Sequence, residues 1–219
     1  MFIDIHTHKK HNIHSAIINA YDGFDCLDKN QFYSIGLHPC KINEHLSEIE
    51  LNHIRNVMLD KNILAIGECG LDTRCGTDYH KQKSIFIQHI HLANEVKKPL
   101  IIHCVKAHEE LIHLLIKHEC KVPVLIHGFN NKWQVAEKYI KQGYFISLGK
   151  SIFNPKQADL IHKIPIEQLF FETDDSEIGI EAIYEKAASL LKIEISDLVI
   201  QIQKNGTTLL SNSTLPWKT

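Results

Sequence analysis

Eight short apolar runs recur along the chain, and most of them stop on a polar or ionisable residue. In order they are FIDIH (2–6), AIINA (16–20), YSIGLH (33–38), LAIGE (64–68), LIIHC (100–104), VLIHG (124–128), YFISLG (144–149) and LFFETD (169–174). Runs that are apolar at successive positions, rather than at every second one, suit strands covered on both faces, as in a parallel sheet. Amphipathic segments of helical period lie between the later runs. Residues 79–97 set Phe86, Ile90, Ala93 and Val96 on one stripe among lysines. Asn131 with Gln134 has the form of a capping box, and Gly143 marks the end of that helix. Asn154-Pro155 reads as an N-cap followed by proline at the first helical position, and residues 177–191 and 196–204 read as two closing helices. Eight strands with helical crossovers predict an α/β fold, the (β/α)8 TIM-type barrel. The connections after the first two strands are too short and polar for full helices, so a barrel trimmed on that side is expected. A doubly wound sheet would instead show a glycine-rich turn after its first strand. Here that turn reads HTHKKHN.

At 219 residues, one barrel domain spanning 1–219 is expected. The net charge of -2 offers no basic face for gripping long nucleic acid, though a local basic patch is compatible with it. The six cysteines (26, 40, 69, 75, 104 and 120) form no CxxC pair. The opening has no basic n-region, apolar core or cleavage site, and no segment approaches the ~18 apolar residues of a membrane span. The thiols therefore read as reduced and the protein as cytoplasmic, with no membrane partner. Oligomeric state is left open, with a monomer favoured.

The ends of the runs carry the chemistry. Alternation along a strand points His6 and His8 to one face, with Asp4 one layer below. His89 and His91 have the same spacing within a helical segment, where neighbours two apart diverge by roughly 200°. They read as surface or packing residues. Glu68, His103, His127 and Asp174 close four further runs, at the barrel face where sites are built. Buried imidazoles and carboxylates are costly unless paired or metal-bound. Four histidines and two carboxylates at one mouth suit two divalent cations of the zinc, manganese or magnesium type. Asp4 and Glu172 have the strand parity to tie down ligand histidines from behind. His38, Lys106 and Arg74 follow strands three, five and four and are candidates for the substrate side, with Lys150 after strand seven. His11 and His14 read as solvated loop. Cys69 and Cys104 read as packing residues facing away from the mouth. Trp133 reads as packing its helix, with base stacking as the alternative.

In order along the chain, IDIHTH, GLHP, IGECGLD, PLIIHCVKA, LIHGF and ETD resemble the motifs of the TatD family of metal-dependent hydrolases, described as deoxyribonucleases. The likeness runs from residue 2 to about residue 205. It implies an amidohydrolase-type barrel with a two-metal centre held by His6, His8, Glu68, His103, His127 and Asp174, Glu68 standing where the family has a bridging glutamate. The chain departs from the family pattern in its short first crossovers and in ETDDSEIGIEAIY, which passes almost directly into helix. Val105-Lys106 also replaces an arginine common after the strand-five histidine.

The expected function is a two-metal phosphodiesterase acting on DNA ends or short oligonucleotides, with Glu68 coupling the ions and Asp174 orienting the attacking water and taking its proton. The alternatives are a metal-dependent hydrolase of a small amide, ester or lactone, and a binding protein that has kept the fold without the chemistry. Fold and metals alone do not separate these.

Overall fold

The computed structural model describes residues 1–9, 15–20, 27–42 and 47–211. Eight parallel strands follow one another around a single sheet in chain order: β1 (Asp4–Thr7), β2 (Ala16–Asn19), β3 (Phe32–Ile35), β4 (Ile63–Asp72), β5 (Leu100–Val105), β6 (Val124–Ile126), β7 (Phe145–Leu148) and β8 (Leu169–Phe171). The eighth strand returns to the first. Thr7 bridges Asp174 in parallel, His8 N–H donates to the Asp174 carbonyl at 3.1 Å, and Asp174 N–H donates to the His6 carbonyl at 3.0 Å. The Asp4 carboxylate reinforces the seam, accepting from Thr173 N–H at 3.0 Å and from its hydroxyl at 2.6 Å. The result is the expected (β/α)8 barrel.

The continuous apolar runs are explained by two-sided burial. Ile3, Ile5, Ile17, Ile35, Ile66, Ile101 and Phe171 are all fully buried. The helices are α1 (Ser47–Val57), α2 (Tyr79–Val96), α3 (His108–Lys117), α4 (Trp133–Lys141), α5 (Pro155–Ala158), α6 (Ile180–Leu191) and α7 (Ile195–Leu209). In α2 Phe86, Ile90 and Ala93 of the expected stripe are buried together with Ile85, Val96 is only partly buried, and Asp78 caps the N-terminus by accepting from Lys81 N–H at 2.8 Å. His89 also faces the core. It donates from Nδ1 to the Ile85 carbonyl and accepts Leu37 N–H on Nε2 at 3.1 Å. His91 stacks edge-on with His118, and neither ring chelates with its neighbour. Among the described residues between β1 and β2 and between β2 and β3 there is no helix. Residues 10–14 and 21–26, with His11, His14 and Cys26, lie outside the description.

Three local expectations are corrected. Glu68 does not end its strand, because β4 continues to Asp72. Its pairing with β5 shifts between Ile66↔Leu100 and Cys69↔Ile102, so one extra residue is accommodated there, a β-bulge beside Glu68. The continuation needs glycine: at Gly70 (φ 143°) an added Cβ would stand 2.0 Å from the His103 carbonyl oxygen. The capping box at α4 does not form. Lys132 is the N-cap residue, and Asn131 instead accepts from Lys132 N–H and donates to His108 Nε2 at 3.0 Å. The cysteines are not all thiols, since Cys40 and Cys75 are joined in a disulfide with a Cα–Cα distance of 5.0 Å. They sit on the loops after β3 and β4, which are paired neighbours, so 35 residues of sequence separation collapse to one contact.

Candidate metal centre

The centre is organised around the Glu68 carboxylate, itself only 4% exposed. Its two oxygens face different partners. Oε1 lies 2.8 Å from His103 Nδ1, 2.8 Å from His127 Nε2 and 3.3 Å from His38 Nε2. Oε2 lies 3.4 Å from His8 Nε2 and 3.7 Å from His6 Nε2, and accepts from Asn19 Nδ2 at 3.1 Å. Asp174 Oδ1 completes the second group, 3.4 Å from His8 and 3.7 Å from His6. All six ligand candidates therefore converge on one cluster at the carboxyl ends of the strands.

Each donor has a local reason for its place. His6 and His8 leave β1 on the same face, their rings 5.2 Å apart and perpendicular. His127 follows β6 directly and is held by donating its N–H to the Ile102 carbonyl at 3.1 Å. Asp174 adopts φ 52°, a left-handed conformation that a non-glycine residue enters only when its surroundings impose it. The two backbone hydrogen bonds to β1 described above impose it.

Neither ring nitrogen of the fully buried His6 has a hydrogen-bond partner among the described residues. An imidazole buried in that state is expensive. Its Nε2 nonetheless looks at two carboxylates across gaps too long for hydrogen bonds. Donors that share one ion at about 2.1 Å stand roughly 3–3.5 Å from one another, close to the spacings found here. The nitrogen and oxygen donor set fits zinc-type or harder divalent cations, and the residues present fit such ions. Three groups of ligand-type atoms meet here: His6, His8 and Glu68; His6, His127 and Asp174; and His38, Glu68 and His103.

The electrostatics agree with a site built for positive charge. Burial would push the Glu68 carboxyl up, but His127 and hydrogen bonds from His103, His127 and His38 hold it well below the usual range. Burial likewise opposes ionisation of Asp174, and His8 keeps its pKa low. Burial drives His6 down to about 3, so this ring is neutral and available as a donor. Hydrogen bonding to Asp174 and Glu68 raises His8 to about 9. His127, against the effect of burial, is raised well above its ordinary value by Glu68 and Glu172.

The remaining expected residues are distributed as follows. Glu172 Oε1 lies 3.7 Å from His127 Nδ1, an electrostatic contact too long for a hydrogen bond, and accepts from Gly128 N–H at 2.5 Å. Asp4 holds Thr173 across the seam, and burial raises its pKa to about 7. His38 comes closer to the centre than a loop position suggests. Its Nδ1 accepts Cys40 N–H at 3.1 Å, which leaves the ring proton on Nε2, directed at Glu68. Arg74 and Lys106 line a cavity of about 270 Å³ beside His127, shared with His108, Phe129 and Asn131. Lys150 pairs with Asp175 at 2.8 Å and borders a smaller cavity with Asp174. Cys69 is buried in the barrel wall, whereas Cys104 borders the larger cavity. Trp133 packs against the core.

Two residues escaped the sequence reading. Asn19, at the end of β2, brackets Glu68 by also accepting its backbone N–H at 3.2 Å. Asp72, four residues after Glu68 on the same face of β4, places Oδ2 3.1 Å from His103 Nε2. It therefore stands behind His103 as carboxylates stand behind metal-binding imidazoles. The i, i+4 spacing within IGECGLD was the available signal, hidden by the apparent end of the strand at Glu68.

Imidazoles and carboxylates gathered at the carboxyl end of a parallel barrel define a metal-dependent hydrolase of the barrel class. Comparison with known proteins narrows the class. Residues 3–209 match the family described as TatD related DNase, and the chain belongs to the TatD family of metal-dependent hydrolases. It is 28% identical over 200 residues to "Uncharacterized metal-dependent hydrolase YjjV" of Escherichia coli K12, covering 83% of this chain and 76% of that protein. It is 30% identical over 145 residues to "3'-5' ssDNA/RNA exonuclease TatD" of Yersinia pseudotuberculosis, covering 64% of this chain and 55% of that one. The crystal structure of the Escherichia coli YjjV TatD homologue superposes with a TM-score of 0.83 at 21% identity, over 96% of this chain and 98% of the other.

Proposed function

We propose that this hydrolase is a two-metal phosphodiesterase that removes nucleotides from DNA ends or short oligonucleotides. The observation that carries the reading is the division of the Glu68 carboxylate. Oε2 faces His6 and His8, and Oε1 faces His103 and His127, two sets of donors on either side of one bridge. Asp174 completes the first set. Bound divalent cations would lower the pKa of a water and neutralise charge on phosphate oxygens.

The protein's own groups supply the rest. Asp174, one-third exposed and held ionised, orients the attacking water and accepts its proton. His38 Nε2–H, which stands 3.3 Å from Glu68 Oε1, is the donor that would pass to an oxygen of the reacting phosphate when substrate binds. Arg74 and Lys106, at the lip of the adjoining cavity, supply positive charge for the neighbouring phosphate. With net charge -2 over the whole chain, such local contacts favour a strand end over a long duplex. The exonuclease named among the relatives supports the substrate class. No helix among the described residues is long and apolar enough to cross a membrane, which is compatible with the cytoplasmic placement we favour.

The test is release of labelled nucleotides from end-labelled single-stranded DNA by the metal-loaded protein, with Asp174→Asn compared at equal metal content. Stepwise release by the wild type, reduced at least about 100-fold in the variant, is the expected result. Turnover of small amides or lactones with intact DNA would replace this reading with the alternative substrate class.

A further inference from the structure

We propose that Cys40 and Cys75 form a reversible redox modification site, oxidised by a small disulfide of the glutathione type, that clamps one wall of the metal centre. The effect on turnover rests on the phosphodiesterase reading, whereas the crosslink itself does not.

Cys40 flanks a group of the centre and Cys75 one of the adjoining cavity. Cys40 is two residues from His38, and its backbone N–H fixes His38 Nδ1. Cys75 follows Arg74. Between the two sulfurs and the centre stands Asp72. Its Oδ1 accepts Arg74 N–H at 2.7 Å, while Oδ2 meets His103 Nε2 at 3.1 Å and stands 3.7 Å from Cys40 Sγ, which as a disulfide sulfur donates nothing to it. This proximity couples the sulfur's state to the site. As a thiol, Cys40 has a proton to donate to Asp72 Oδ2, in competition with His103. As a disulfide sulfur it has none, and Oδ2 serves His103 alone. The crosslink also ties the turn that carries His38 to the loop that carries Arg74.

Selectivity follows from exposure. Cys40 is exposed and Cys75 half-buried, so a small disulfide can reach the first sulfur. The other three described cysteines are poor competitors. Cys69 is buried and Cys104 and Cys120 are half-buried, so none is as open to an incoming disulfide as Cys40. The Cα–Cα distance of 5.0 Å lies within the span a disulfide bridges without backbone movement.

The exchange balances in two steps. The Cys40 thiolate attacks one sulfur of oxidised glutathione, and the departing glutathione thiolate takes up the proton that Cys40 lost. The Cys75 thiolate then attacks the Cys40 sulfur of the mixed disulfide and expels a second glutathione. Two protein thiols become one disulfide while one glutathione disulfide becomes two thiols.

The metal-loaded full chain would be equilibrated in glutathione buffers from fully reduced to fully oxidised, acid-quenched, alkylated and analysed by peptide mass spectrometry. The expected result is one linked peptide pair containing residues 40 and 75, reversed by dithiothreitol and absent from Cys40→Ser and Cys75→Ser. The oxidised wild type should melt several degrees above the reduced form, and the double serine variant should show no such shift. With a short oligonucleotide substrate, reduction should raise KM severalfold with a smaller change in kcat, and the double variant should ignore the buffer. Absence of the linked pair at every ratio would overturn the proposal. Uptake of an additional zinc by the reduced wild type, lost in the double variant, would overturn it too, making Cys40, Asp72 and Cys75 a cation site. A KM indifferent to the crosslink would overturn the coupling to the centre. A protein that hydrolyses no oligonucleotide would refute the phosphodiesterase reading, while the linked peptides and the melting shift would still decide the crosslink.

Discussion

At the scale of single residues, the candidate ligands are themselves held by further partners. His103 is held between Glu68 and Asp72, so its orientation is determined before any ion arrives. Replacing such an outer carboxylate commonly lowers metal affinity about 10–100-fold. Asp72→Asn is expected to do so here, measured by competition with a chromogenic chelator, with the fold unchanged by circular dichroism. His89 gives a cleaner electrostatic test because it lies in α2, within the core. Burial lowers its pKa from 6.5 to about 4, so the folded protein holds it neutral while the unfolded chain takes up a proton below pH 6.5. Stability from this group is therefore full above pH 6.5 and falls as pH drops towards 4, by up to about 3 kcal/mol. His89→Gln retains an acceptor for Leu37 N–H without a titrating ring. Urea unfolding across that pH range should show a shallower acid slope in the variant.

At the scale of elements, β4 decides the site. Its bulge beside Glu68 and its extension to Asp72 bring two carboxylates from one strand onto neighbouring histidines. The extension survives because Gly70 lets the strand lie against the His103 carbonyl. Gly70→Ala would force either that carbonyl or β4 to move. Destabilisation of about 2–4 kcal/mol is expected from strain and lost pairing, together with weakened metal uptake. Chemical denaturation and metal titration on the same sample would separate the two effects. The elements also show which sequence patterns were legible. All eight strands follow from the short apolar runs, and the buried Phe86, Ile90 and Ala93 of α2 follow from helical periodicity. The bulge, the true end of β4 and the alternative use of Asn131 depend on neighbours that periodicity does not contain.

At the scale of the whole molecule, the barrel closes where the chemistry sits. The β1–β8 seam carries His6, His8, Thr173 and Asp174, so closing the barrel and assembling half the centre are one event. Ions bound only by the folded protein should therefore stabilise the entire barrel. At 100-fold excess over the dissociation constant the gain is about 2.7 kcal/mol, or several degrees in Tm. Removal of metal by a chelator should lower Tm by that amount, and re-addition of zinc or manganese should restore it. An unchanged Tm would mean that the seam is assembled without help from ions.

Six candidate ligands were visible in the sequence because each ends or follows an apolar run, and a parallel barrel sends all such ends to one rim. Strand parity alone placed His6 and His8 together. The tertiary structure decided what those residues do to one another: which oxygen of Glu68 meets which imidazole, that Asn19 and Asp72 join them, and that Cys40 meets Cys75. The physical reason is range. Alternation and burial are properties of a few successive residues, whereas register, the bulge and closure of the ring are set by hydrogen bonds between strands that the linear order leaves far apart.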